Sequence, residues 1–193
     1  MAAPLVTIGI ACFNAEDTIR RAIRSALAQD WPNLEVIVVD DASTDDSVAV
    51  VTNAIEETPM ARLVRHDRNK GPAGSRNSIL QQANGTFVAF IDDDDEALPG
   101  RIGAQVAALE RYENSTGVRL VACYASGHRI YDNGYQLDLP AIGSRGEEAP
   151  NGPGVADYLL FGRRRSRWFY GAGTPACALL ARRATFSEIG AFD

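Results

Sequence analysis

A chain of 193 residues, 46% of them hydrophobic and 23% charged, has the composition of an ordinary globular protein and the length for one substantial core. Its net charge of -6 argues against nucleic acid as a partner, and an anionic ligand would need a cation or a local cluster of donors. Cys12, Cys123 and Cys177 stand far apart with no CxxC pair, which suggests neither a disulfide framework nor a zinc site and reads as reduced thiols in a cytoplasmic chain.

In chain order, the β-branched run "LVTIGI" at 5–10 predicts a first strand, and Asn14 in "CFNAED" is a candidate N-cap for the helix that follows. There Ile19, Ala22, Ile23, Ala26 and Leu27 recur on one helical face. "LEVIVVD" predicts a second strand, and after "DDASTDD" a helix presents Val48, Val51 and Ile55, with Ser43 or Thr44 as its cap. "ARLVRH" predicts a third strand, and Pro72 marks the first turn of a third helix closed by Asn84-Gly85. "TFVAFI" predicts a fourth strand, and a helix starting near Pro99 carries Ile102, Val106 and Leu109 on one stripe. "VRLVACYA" is the predicted fifth strand. Beyond it, "GHRIYDNGYQLD" reads as a hairpin turning near Asn133-Gly134 and "LPAIGSRGEEAPNGPG" as a flexible rim. A short helix at "VADYLLFG", a strand at "ACALLA" and a helix at "RATFSEIG" complete the pattern.

Apolar strands separated by amphipathic helices predict an α/β fold, a mostly parallel Rossmann-like sheet covered on both faces, within a single domain over 1–193. No apolar run approaches the ~20 residues that span a bilayer, and the N-terminus lacks the basic and apolar regions of a signal peptide.

The polar segments follow the strands. Asn14, Asp40 and Asp41, "NKGPAGSRN", and Asp92 to Asp95 all come after predicted strand ends, which in an open parallel sheet share one ligand-binding edge. Asp94, Asp95 and Glu96 in "FVAFIDDDDEALPG" have a simple explanation in the dipole of the helix that follows, worth roughly 0.3–1 kcal/mol. Asp92 and Asp93, directly at the strand end, do not, and short oxygen ligands suit Mg²⁺ or Mn²⁺. Arg76, in the first turn of the third helix, faces a diphosphate or an aspartate. The four arginines of "GRRRSRW" read as a solvated loop and His66 and His128 as structural residues. No GxSxG, P-loop or GxGxxG is present.

As a set, "VTIGIACFN", "VIVVDDASTDDS", "NKGPAGSRN" and "FIDDDDEALP" resemble, in order and spacing, the motifs of the inverting family 2 glycosyltransferases, from Leu5 to the closing "EIGAFD". The resemblance implies the GT-A fold and transfer of a sugar, with inversion, from a nucleotide-diphosphate sugar, a UDP-sugar by preference. Carried over, Ala11 and Phe13 line the base, Asp41 binds the uracil or ribose side, and Arg76 supports the diphosphate. Asp92 and Asp94 form the DXD pair, with Asp94 the principal metal ligand, Asp92 the second, and Asp93 near the ribose. The metal would be Mn²⁺ or Mg²⁺. The acceptor, a saccharide, a lipid-linked sugar or a protein, stays open, as does a peripheral position at the inner face of a membrane.

The family's Pro-Thr-Tyr-Asn is Ala11-Cys12-Phe13-Asn14 here, which keeps an aromatic wall. The family's Glu-Asp motif, which carries the general base, follows a segment like "FSEIGAFD", so the expectation is a chain truncated before its base, with Asp193 a support rather than a substitute. A nucleotide-sugar-binding module without catalysis is the alternative. A sugar nucleotidyltransferase would carry a Gly-rich basic signature after the first strand, which "IACFNAED" lacks.

Overall fold

The computed structural model describes residues 2–146, 148–171 and 173–193, and the chain divides into two compact units, Met1–Cys123 with Leu180–Asp193, and Tyr124–Leu179. Of the predicted rim over 139–154, Glu147 lies outside the described residues.

The first unit is built on β1 (Val6–Cys12), β2 (Leu34–Asp40), β3 (Ala61–Arg65) and β4 (Phe87–Asp92). These alternate with α1 (Ile19–Leu27), α2 (Ser47–Ile55), α3 (Gly71–Gln82) and α4 (Arg101–Thr116). With β5 (Ala122–Tyr124) and β8 (Leu179–Arg182) the sheet order is β3-β2-β1-β4-β8-β5. The first four strands are parallel and β8 runs antiparallel to β4, which is the mostly parallel sheet that the apolar strand runs predict. Strand order reverses beside β1, the position at which open α/β sheets leave a crevice at their carboxyl edge.

Alternation along each strand sends residues to two cores. Val6, Ile8 and Ile10 of β1, with Val36, Val38, Phe87 and Ala89, are fully buried in one cluster with Ile19, Ala22 and Ile23 of α1, Val51 of α2, and Ile102, Val106 and Leu109 of α4. On the opposite face Ile79 of α3 lies so close to Gly9 that a Cβ there would collide with it. Phe90 on that face meets Phe186 of α6 (Arg183–Ile189) edge-on at 5.9 Å and Phe192 at 5.5 Å. Helices therefore cover both faces. Each fully buried aliphatic side chain contributes about 1.5–3 kcal/mol, so these two layers supply most of the force that holds the strand ends in register.

Two predicted strands are shorter than their apolar runs. Residues 118–121 stay outside β5, with Val118 and Leu120 exposed, because β8 inserts between β4 and β5 and leaves that run at the sheet's edge. "ACALLA" opens as a 3₁₀ turn, Ala176–Ala178, after Pro175, and the strand begins only at Leu179.

In the second unit β6 (Gly127–Ile130) and β7 (Gln136–Leu139) pair as the predicted hairpin, with Gly134 at φ 81° in its turn. His128 and Asp138, cross-strand partners, form an exposed pair at 2.8 Å. The helix α5 (Gly152–Phe161) starts at Asn151, whose Oδ1 accepts the Gly154 N–H at 3.0 Å, and ends at left-handed Gly162. The arginines that follow are exposed, as a solvated loop requires, and lie over rings of their own unit: Arg163 over Phe161, Arg164 over Tyr158 and Tyr170, Arg165 over Trp168.

Candidate functional site

Register places the polar residues. Ala11 pairs with Val39 on one side and with Asp92 on the other, and Cys12 pairs with Asp40, so three strands deliver their last residues to one edge. Around that edge opens a cavity of about 320 Å³ whose walls include Ala11, Phe13, Asp41, Arg76, Asp92, Asp93 and Asp94. All seven positions that the sequence singles out for donor and metal lie on it. Cys12, Asn69, Gly71, Pro72 and Ser75 complete the lining.

The loops after β1 and β2 are laced to each other. The Asn14 N–H donates to the Ser43 hydroxyl at 3.0 Å, the Thr44 N–H donates to Asn14 Oδ1 at 2.8 Å, and the Ala15 N–H donates to the Ser47 hydroxyl at 2.8 Å. This overturns two capping expectations. Asn14 is not the N-cap of α1, which is Thr18. Asn14 sits in the left-handed region at φ 50°, which its short polar side chain tolerates, and its carboxamide bridges to the next loop. Ser43 and Thr44 do not cap α2 either, because they serve Asn14, and Asp45 accepts the Ser47 N–H at 3.0 Å in their place. Phe13, 46% exposed, is left as an apolar flank of the cavity.

Asp41 is held on three sides. Its Oδ1 receives His66 Nδ1 at 2.6 Å and the Lys70 N–H at 2.8 Å, and its Oδ2 receives the Gly71 N–H at 2.8 Å. Burial alone would raise its pKa, but hydrogen bonds from His66, Lys70 and Gly71 outweigh burial and hold it below the ordinary value. His66 is thus structural, as expected, but structural toward a residue of the cavity. Spacing gave no sign of this; the usable signal was that His66 directly follows β3 at the same edge as Asp41.

Arg76 projects from the first turns of α3. Its Nη2 donates to Asp92 Oδ1 at 3.0 Å and its guanidinium lies 5.9 Å from the Phe192 ring. Asn77 fixes that ring through two bonds of 2.8 Å with the Phe192 backbone. Of the two partners open to Arg76, the aspartate is the one it meets. Nothing in the sequence pairs Asn77 with Phe192, which are 115 positions apart.

The run at the end of β4 carries more charge than its surroundings neutralise. Asp93 accepts the Phe13 N–H at 3.0 Å, yet its pKa is raised, first by burial and then by the charges of Asp94 and Asp92. Carboxylate oxygens of Asp92 and Asp95 lie within 4.8 Å of each other. Helix α4 begins only at Arg101 and has no acidic residue in its first turn, so Asp95 and Glu96 do not serve its dipole. Its start is held by Gln29, which accepts the Ile102 N–H and donates to the carbonyls of Ala97 and Leu98, while Glu96 pairs with Arg21 at 3.1 Å. A set of short carboxylates with one guanidinium against it fits a hard divalent cation. The Cys12 thiol, pushed up to about 12 by burial and then by Asp93 and Asp40, is no nucleophile.

The model of the family described as Glycosyl transferase family 2 matches residues 7–171. Succinoglycan biosynthesis protein ExoO of Rhizobium meliloti (strain 1021) is 45% identical over 114 residues, 54% of this chain and 32% of that protein. The Escherichia coli protein named UDP-Glc:alpha-D-GlcNAc-diphosphoundecaprenol beta-1,3-glucosyltransferase WfaP is 39% identical over 106 residues, 55% of this chain and 41% of its own length. The chain thus spans less than half of either relative. Among solved structures, the mannosyltransferase PcManGT of Pyrobaculum calidifontis, in complex with GDP-Man and Mn²⁺, superposes with a TM-score of 0.63 at 20% identity, over 100% of this chain and 48% of that one. S. aureus TarS 1-349 with UDP-GlcNAc gives 0.58 at 20%, over 98% and 47%. These two carry the fold, a GT-A α/β sheet, and the family model over residues 7–171 carries the membership: the chain belongs to glycosyl transferase family 2.

Proposed function

We propose that the cavity at the carboxyl edge of β1, β2 and β4 is the donor site of a glycosyltransferase that moves a sugar from a nucleotide-diphosphate sugar, by preference a UDP-sugar, to an acceptor with inversion. The observation that carries this reading is convergence: seven side chains from four separate segments line one cavity. Phe13 offers its ring to the base. Asp41, fixed and ionised, accepts a hydrogen bond from the base or ribose. Arg76 stands at the diphosphate, and Asp93 at the ribose.

Asp94 and Asp92 would hold Mn²⁺ or Mg²⁺, which when bound neutralises the departing diphosphate. The acceptor hydroxyl would approach from the face opposite the leaving group and give its proton to a base within hydrogen-bond reach, a role we assign to no residue. The name of WfaP specifies a diphosphoundecaprenol-linked acceptor, which favours a lipid-linked sugar here. Such an acceptor puts the work at a membrane face, and the thiols of Cys12 and Cys123 fit a reducing, cytoplasmic side. No helix among the described residues is long and apolar enough to cross a membrane.

Calorimetric titration with UDP, GDP and their sugars, with and without Mn²⁺, tests the reading. UDP is expected to bind at least about tenfold more tightly with the ion. Absence of binding by every nucleotide in both conditions would sink the assignment.

A further inference from the structure

Behind the cavity wall, His66 bridges two elements. Its Nδ1 meets Asp41 Oδ1 at 2.6 Å and its Nε2 meets the Ser78 hydroxyl of α3 at 2.8 Å, with only 4% of the His66 and Asp41 side chains exposed. An ionised carboxylate only accepts, so Nδ1 carries a proton toward Asp41, while Nε2 is held by the Ser78 hydroxyl. The ring's plane is thereby fixed at both ends.

A carboxylate has about four acceptor positions. In Asp41, His66 and Lys70 take two on Oδ1 and Gly71 takes one on Oδ2. One position on Oδ2 remains. A base edge with a single N–H, as in uracil, satisfies it fully. An edge with two adjacent donors, as in guanine, leaves one donor without a partner, and an unmade hydrogen bond at a buried wall discriminates strongly.

We propose that His66 is a positioning residue that sets the base preference of the donor site: it locks Asp41 in one orientation, saturates Oδ1, and leaves a single acceptor that selects uracil over guanine. This rests on the donor-site reading above. Without the imidazole N–H, Asp41 keeps only its two backbone donors, is held less firmly, and has a second acceptor position open on Oδ1, so uracil loses part of its fixed partner while guanine gains one.

The test is UDP and GDP affinity, measured by calorimetry in the presence of Mn²⁺, for the wild type and His66→Ala, His66→Asn and His66→Gln, each with its thermal midpoint. The Asn amide reproduces a donor near the Nδ1 position, and the longer Gln amide does not. His66→Ala is expected to weaken UDP binding about tenfold and to narrow the UDP to GDP ratio, the tenfold corresponding to loss of one charge-assisted hydrogen bond. His66→Asn should recover UDP affinity to within about threefold of wild type, and His66→Gln should not. A role confined to packing would move the midpoints and leave the ratio alone. Equal UDP affinity in wild type and His66→Ala, equal losses for UDP and GDP, or identical behaviour of Asn and Gln would each overturn the proposal. A wild type that binds neither nucleotide would instead sink the donor-site reading and this inference with it.

Discussion

Asp41 and Asp94 are carboxylates at one edge of one sheet, each within a run of acidic residues that follows a buried parallel strand. In the run after β2, Asp41 is enclosed by His66 and two backbone N–H groups, and Asp45 accepts the backbone N–H groups of Ser47 and Glu16. In the run after β4, the Arg76 guanidinium meets Asp92 and one backbone N–H meets Asp93, whose pKa is raised first by burial and then by the charges of Asp94 and Asp92. In the first run Asp41 and Asp45 find their hydrogen-bond donors within the protein, although the buried Asp40 Oδ1 has no partner among the described residues, and Asp41 acts as a fixed point. The second is incomplete, and what it lacks is positive charge. One kind of sequence feature thus does opposite work, and the donors delivered by neighbouring elements decide which.

Deleting the enclosed carboxylate should cost most. Asp41→Ala leaves His66 Nδ1 and the Lys70 and Gly71 N–H groups without their acceptor, and removing one partner of such a buried set costs about 3 kcal/mol. Urea unfolding of the metal-free protein measures it. Asp94→Ala in the same assay should stay within about 0.5 kcal/mol of wild type, because it relieves repulsion and breaks no enclosed pair. Equal destabilisation by the two variants would erase the distinction between the runs.

The second effect reverses the ranking. Removing the partners that merely orient a metal ligand costs about 10–100-fold in metal affinity, so losing a ligand should cost no less. Asp94→Ala is therefore expected to weaken Mn²⁺ binding at least about tenfold and with it to remove the Mn²⁺-dependent gain in UDP affinity, while the fold persists. Unchanged manganese dependence in that variant would refute Asp94 as a ligand and leave the run after β4 without a task.

The parallel strands, their helices and the edge on which the polar residues meet were legible because they rest on local signals: β-branched runs, apolar residues at helical spacing, and Pro72 at the head of α3. Of the seven cavity positions, Asp41 and Asp92 to Asp94 were legible from their place at strand ends and Arg76 from the start of α3, whereas Ala11 and Phe13 came only from the family resemblance. The failures share a cause as well. Asn14, Ser43, Asp95 and Glu96 each sit where a local rule offers them to the nearest helix, and each is claimed by, or displaced by, something distant in sequence: Thr44 for Asn14, Asn14 for Ser43, Gln29 in place of the acidic pair. The His66, Asp41 and Ser78 chain and the Asn77 clamp on Phe192 are wholly of this kind. Capping rules see a few residues, and a sheet edge brings together groups 12 to 115 positions apart.

The smallest effect separates charge that holds the fold from charge that serves the cavity. Glu35, near the amino end of β2 and off the cavity wall, would be raised by burial, but bonds from Thr7, Arg62 and Asn84 bring it down to about 2 from an ordinary 4.5. Asp41 is depressed in the same direction. A carboxyl depressed in the folded state stabilises it above its unfolded pKa, and that contribution fades as pH falls through the folded value. The protein should therefore keep full stability from these groups above pH 4.5 and lose it toward pH 2. Glu35→Gln should flatten that acid limb by roughly 2 kcal/mol and leave UDP affinity at pH 7 within about twofold, because its partners lie at the other end of the strand. Asp41→Asn should flatten the limb by less and weaken UDP binding. Urea midpoints between pH 2 and pH 7 beside one titration at pH 7 decide it: if Glu35→Gln weakens the nucleotide as much as Asp41→Asn does, the two ends of β2 are coupled, and Asp41 is no longer a local fixed point.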